Sequence, residues 1–425
     1  MSSLNEDTAL NAKSETAGFF SYANLLRIEE RVAATFMRYP WIGWGLWIVF
    51  IVATLLRVHP RRFGSTFQAY LDAAHSFWSG QPIYVMSNLG EYLYWPVSLL
   101  VLGPLPMFTP VVAATIATAI SAALLTWAAY AMMRLLLPEQ SRADVINLTG
   151  ILLILNIPNA WFNLKYVQAQ VGMTAFMMLA AVAIAKRQWI VASLWLFFSI
   201  IIKPLSLVML LLCGATQPKM RLWLAIALIA ALALPFAFGH PAYVADQYRL
   251  WIAKLQQLTS VDPGEWLYQA DFATMLDTIG ITLPHAVQTV IRLAAALGFL
   301  ALVWRVARYG NIVVFAVAVT LYAACYINLF GPRNEFLSFL VLTPTLAGLA
   351  LMLLKRNTHD QRAWLLIAAV LVIAFHGALE VDRVVKPLLT FVVLGWMIWM
   401  TFDMRRWVEM LGPAGAAHHS QSRPD

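Results

Sequence analysis

An all-α polytopic membrane protein with about 12 transmembrane helices is the fold class this chain predicts. Hydrophobic residues make up 61% of its 425 residues and charged residues only 12%. The mean hydropathy is +0.71, and apolar runs recur at lengths near the roughly 20 residues that cross a bilayer. The 17 Trp and 14 Tyr suit headgroup-level anchoring or the lining of a lipid or sugar site. A net charge of +8 raises the question of nucleic acid. The basic residues are scattered at span ends, however, so they read as topology signals and no nucleic acid is expected. Cys213 and Cys325 both lie inside apolar runs with no CxxC, which argues against a disulfide framework or a zinc site.

Residues 1–40, with Asn5, Glu6, Asp7, Ser14 and Glu15, lack the apolar core of a secretory signal and read as a cytoplasmic tail. Within it, Phe19–Met37 carries Arg27 and Arg31, with Arg38 just beyond, and reads either as a membrane-surface helix or as a flexible segment. Trp41–Arg57 is the first crossing, an uncleaved anchor. A first outer loop, 58–93, follows it and leads into a Pro-rich stretch too broken for an ordinary span. Further crossings read as Pro110–Leu137, Val145–Ala160, Gln168–Ala185, Gln188–Ile202, Leu205–Gly214, Leu222–Phe238, Pro284–Trp304, Ile312–Phe330, Phe336–Leu354, Trp364–Leu379 and Pro387–Phe402. Residues 41–402 form one membrane domain, and 403–425 a cytoplasmic C-terminal tail.

Placing both termini inside puts 18 of the 29 Lys and Arg on the cytoplasmic side and 10 outside, with Arg292 within a span. The outer charges then need a reason. Lys165, Lys203, Arg333, Glu335, Glu380, Asp382, Arg383 and Lys386 all fall in short outer connections, where ionisable groups face a cavity or a partner. Snorkelling of Lys203 and Lys386, and a simple Arg333–Glu335 pair, are the plainer readings. Lys203-Pro204 divides two apolar pieces that are each short for a bilayer, and proline removes a backbone donor, so this break reads as a binding element. The long outer loop, 239–283, contains Tyr248, Trp251, Ile252 and Leu255 at helical spacing. It predicts a helix lying on the outer surface, then a mobile loop through 261–266 that acts as lid or structural cover.

The first outer loop reads Thr66-Phe67-Gln68-Ala69-Tyr70, Ala73-Ala74, Gly80, Tyr84, Tyr94-Trp95-Pro96 and Pro104-Leu105-Pro106. Ala169-Gln170 and Lys203-Pro204 come later. In this order the motifs resemble glycosyltransferase family 87, polyprenol-phosphate-mannose-dependent mannosyltransferases of the class-C fold. The likeness covers about the first 210 residues, and Pro332-Arg333-Asn334-Glu335 with Ser338 and Pro344 is similar to a motif of some members. The resemblance implies a hexosyltransferase moving mannose by single displacement from a polyprenyl-phosphate donor to an extracytoplasmic glycolipid or glycan acceptor. It also implies a bacterial inner membrane as location. One departure stands out: Thr66 occupies the position of the family's loop aspartate, the expected base, and a threonine hydroxyl is too weak a base to replace it.

Such chemistry needs a carboxylate facing a basic cluster. Asp72, Glu91 and Glu335 are the candidate catalytic carboxylates, in that order; Asp72 alternatively caps or pairs with Arg61 or Arg62, and Glu335 pairs with Arg333. Lys203 and Arg333 are first choices for the leaving phosphate, with Arg383 and Lys386 next. Thr66, Tyr70, His75, Tyr84, Tyr94, Gln170 and Asn334 complete the candidate substrate-binding set. For His75 a hydrogen-bonded loop histidine is the plainer reading, and for the tyrosines it is interfacial belting. No cofactor and no metal are expected. Two other functions fit the same features: a non-catalytic binder of polyprenyl-linked lipid, which Thr66 supports, and a lipid or sugar transporter, which broken helices support.

Overall fold

The computed structural model describes residues 39, 41–57, 64–85, 92–259, 269–332, 334–375 and 379–412. The chain is helical: α1 (Trp41–Leu56), α2 (Gly64–Trp78), α3 (Ser98–Leu102), α4 (Pro110–Leu136), α5 (Arg142–Leu155), α6 (Ile157–Lys165), α7 (Gln170–Ala185), α8 (Trp189–Ile202), α9 (Leu207–Thr216), α10 (Arg221–Ala233), α11 (Pro241–Thr259), α12 (Phe272–Thr278), α13 (His285–Arg308), α14 (Ile312–Phe330), α15 (Thr343–Arg356), α16 (Gln361–Ala374), α17 (Leu379–Phe402) and α18 (Met404–Leu411). Among the described residues, strand-like pairing is confined to one antiparallel bridge between Gln269 and Glu335.

Among the described residues, six helices are long and apolar enough to cross a membrane, and a seventh crossing results if α5 and α6 count as one broken span. Several shorter apolar helices of 10–17 residues pack among them. Helices α7 and α14 are apolar on every side and buried along nearly their whole length, as expected of bundle centres. The α13 helix is the opposite case: Val290, Leu293 and Leu297 face outward, an apolar surface suited to lipid. Close packing uses small residues where helices touch. A Cβ added at Gly43 of α1 would lie 3.0 Å from the backbone of Gly150 in α5, so the two glycines set how near those helices come.

Two expectations are corrected. Val145–Ala160 is not one straight crossing: α5 and α6 meet at 67° around Asn156. Pro158, in the first turn of α6, has no N–H to continue the helical ladder. The last crossing does not open at Pro387, which lies inside α17. The helix expected in the long outer loop is α11; it docks through Val244, Gln247, Trp251 and Lys254 and leaves Ile252 and Leu255 exposed. Gln247 and Lys254 can turn inward because each finds a backbone partner, which removes the cost of burying them.

At Lys203-Pro204 the expected break is present. Helix α8 stops at Ile202, Lys203 is extended at φ −147° and ψ 117°, and Pro204–Ser206 makes a 3-10 turn into α9. Lys203 therefore sits at an apex instead of within a helix.

Candidate functional site

The α2 helix and the segment that follows it build one wall. On α2, Phe67, Tyr70, Ala74 and Phe77 are buried, while Gln68, Asp72 and His75 are exposed on the other side, as the 3.6-residue period requires. Thr66 is four residues before Tyr70, so it belongs to the inward side. Asp72 accepts a 2.8 Å hydrogen bond from Gln68 Nε2 on the outer side. His75 lines a largely apolar cavity of about 590 Å³ with Trp78, Met107 and Phe238.

Four tyrosines form the centre. The Tyr70 and Tyr94 hydroxyls meet at 3.0 Å, Tyr84 donates to the Tyr94 carbonyl at 2.6 Å, and Tyr92 donates to the Trp95 carbonyl at 3.2 Å. Burial pushes the Tyr70 hydroxyl well above the ordinary tyrosine range, and the neighbouring Tyr94 and the Glu335 carboxylate push it further. Burial does the same to Tyr84 and Tyr92. All three therefore remain neutral O–H groups that orient a partner and do not act as bases.

Tyr94 also joins this wall to the helix break, since the Lys203 ammonium lies over its ring, 5.8 Å from the centroid. Trp95 makes a second link by donating Nε1–H to the Ile200 carbonyl at 3.0 Å, near the end of α8.

Helix α11 holds the outer segment by its main chain. Gln247 accepts from the Ile83 N–H at 2.9 Å, and Tyr243 donates to the Gln81 carbonyl at 2.7 Å. Trp251 donates to the Leu93 carbonyl at 3.0 Å and Lys254 to the Val85 carbonyl at 2.7 Å.

A second wall carries Glu335, which is exposed and whose charge acts on Tyr70. Its position is fixed from several directions. The Ala270 N–H donates to the Asn334 carbonyl at 2.7 Å. Buried Asn334 donates Nδ2–H to the Ala270 and Asn328 carbonyls at 3.0 and 2.9 Å. Gln170 donates to the Ser338 carbonyl at 3.1 Å and Asn163 to the Leu337 carbonyl at 3.0 Å, tying the next 3-10 turn to α7 and α6. Gln170 is itself 1% exposed, so it touches this wall from behind. Lys386, fully buried on α17, lies over the Phe336 ring at 5.6 Å, with Asp382 and Arg383 one turn before it.

Behind Ala270 stands a residue that the sequence did not bring forward. Asp271 is completely buried and accepts from Thr274 N–H at 2.8 Å, Thr274 Oγ1 at 2.9 Å, Gln269 Nε2 at 3.2 Å and Arg292 Nη2 at 3.2 Å. Arg292 was already conspicuous as a charge inside an apolar span, and a buried partner is what such a charge requires. Asp271-x-x-Thr274 opening a short helix is the cap signal that could have found the other half.

Tyr70, Tyr84, Tyr94 and Lys203 thus come together, and the charge of Glu335, backed by Asn334 and Gln170, reaches Tyr70; Asp72 and His75 lie on the other side of α2. Glu91 and Arg333 lie outside the described residues, as does the 261–266 loop. Among the described residues, no three His, Cys, Asp or Glu side chains gather as a metal site.

The sequence model of glycosyltransferase family 87 matches residues 92–327. The chain belongs to this family. Family 87 membership makes it a membrane glycosyltransferase, and the matched region includes Tyr94, Gln170 and Lys203, while α2 and Glu335 flank it. Among curated proteins no relative matches the chain.

Proposed function

We propose that this family 87 protein transfers a hexose, mannose in the first instance, from a polyprenyl-phosphate donor to a glycolipid or glycan acceptor on the outer face of a bacterial inner membrane. The bundle is a class-C arrangement of about 12 crossings with both termini cytoplasmic. Tyr94 is the observation that carries this reading: its ring lies beneath Lys203, and its hydroxyl meets Tyr70, on which Glu335 acts. A carboxylate and a cation thereby flank one set of aromatic hydroxyls.

Glu335 is the general base. It takes the proton of the acceptor hydroxyl as that oxygen bonds to the anomeric carbon. The carbon–oxygen bond to phosphate breaks, its electron pair leaves on the polyprenyl phosphate, and Lys203 holds the resulting charge. Tyr70 and Tyr94 orient the sugar. Removing a general base costs about 10²–10⁴ in rate. Purified protein incubated with radiolabelled polyprenyl-phosphate mannose and a lipid extract should therefore show transfer that Glu335→Gln reduces by about a thousandfold and Asp72→Asn leaves nearly intact. Full activity of Glu335→Gln, or loss confined to Asp72→Asn or Glu91→Gln, would move the base elsewhere.

A second reading rests on Thr66, which sits on the inward side of α2 where the resemblance implies an aspartate. Under it the protein binds polyprenyl-linked lipid without transfer. Lipid binding by wild type with no labelled product would favour it.

A further inference from the structure

At the far end of α8 from Lys203, about 21 Å away over 14 residues at 1.5 Å each, the helices border a second, open recess. This cavity of about 260 Å³ is lined by Arg187, Trp189, Gln217, Lys219 and Asn311, among others. Its size falls just below the roughly 300–1,000 Å³ of drug-sized sites, so it suits one small group and not a whole glycan.

Its chemistry is that of an anion site. Arg187 and Lys219 both line it, and neither pairs with a carboxylate among the described residues. Three other cations near the same ends of the bundle are engaged. Arg221 donates to the Gly214 and Ala215 carbonyls, Arg305 to those of Thr401 and Phe402, and Lys355 reaches Asp144. Helix α8 opens against the recess without a side-chain cap, so its leading N–H groups add positive potential. Arg187 adopts φ 58°, a left-handed conformation uncommon outside glycine and asparagine, at the turn that brings α8 back against α7. The recess also lies where the apolar helices α8, α10 and α14 begin, which is the depth of lipid headgroups.

We infer that this recess binds the phosphodiester of an anionic membrane phospholipid, held by Arg187 and Lys219, at the opposite face from the transfer site. It is a lipid site independent of the donor and acceptor.

The test uses the full-length protein in detergent, with native mass spectrometry reading retained lipid after titration with phosphatidylglycerol or phosphatidylcholine. Two cations at an anionic surface together account for about a 30-fold change in affinity. Wild type should retain one phosphatidylglycerol and little phosphatidylcholine, and the Arg187→Asn/Lys219→Gln double variant should bind phosphatidylglycerol about 30-fold more weakly. Asparagine tolerates the left-handed backbone of position 187, so the turn is preserved. Lys186→Gln, which removes the adjacent exposed charge, should leave retention unchanged. Equal retention by the double variant, or an equal loss in Lys186→Gln, would overturn the assignment. So would saturation by millimolar inorganic phosphate that blocks the lipid, since the ligand would then be free phosphate.

Discussion

Replacing Asp271 by Asn is the perturbation whose size follows most directly from the structure. The carboxylate is fully buried, caps α12 at Thr274, and holds Gln269 and Arg292. Asparagine keeps one oxygen for the cap but sets an NH2 group among donors. Breaking a buried ion pair costs about 3–5 kcal/mol. Arg292 is 25% exposed, so water relieves part of that, and a value of about 3 kcal/mol is appropriate. The Ala270 N–H, bonded to the Asn334 carbonyl at 2.7 Å, and the Thr274 N–H report this region's opening. At 1.4 kcal/mol per tenfold, hydrogen–deuterium exchange at both should quicken by about 150-fold, with α7 amides unchanged. Because Ala270 and Gln269 hold Asn334 and Glu335, transfer should fall with little change in donor KM. Unaltered protection at Ala270 and Thr274 would refute the idea that Asp271 anchors this wall.

Tyr94→Phe retains the ring beneath Lys203 but leaves the buried Tyr70 hydroxyl without its partner, a loss of about 1–2 kcal/mol. In thermal melts the Tyr70→Phe/Tyr94→Phe double variant should therefore be less destabilised than the two single losses added together; strict additivity would contradict the contact. Tyr243 and Tyr248 are pushed up to about 12 by burial. An acid whose folded value is raised holds its proton more tightly when folded, so its contribution is full below pH ~10 and fades between pH ~10 and ~12. Limited proteolysis of α11 should accelerate across that window, with tyrosinate absorbance rising in parallel.

Much of the framework was legible because membrane helices announce themselves by length and hydropathy, and because a proline after a lysine stops a helix. Lys203 was readable for that reason, and so were the outer tyrosines as a group. The orientation of α11 was not, because Gln247 and Lys254 look solvent-facing until their backbone partners on residues 83 and 85 are known. The bend at Asn156 was hidden by a mainly apolar run in which Asn156, Pro158 and Asn159 were the cues. Asp271 and Arg292 were each visible, but their separation of 21 positions concealed that they form a pair. Asp72 and Thr66 differ by only six residues, yet helical rotation puts them on different sides of α2.

The grip of α11 on the first outer segment has an evolutionary corollary. Its four contacts at Gln81, Ile83, Val85 and Leu93 are all to peptide groups, which every residue except proline supplies in full. The exposed side chains of Gln81 and Val85 are consequently released from the duty of keeping the segment in place, while buried Ile83 and Tyr84 still share it. Related enzymes can exchange those exposed side chains without redesigning the fastening.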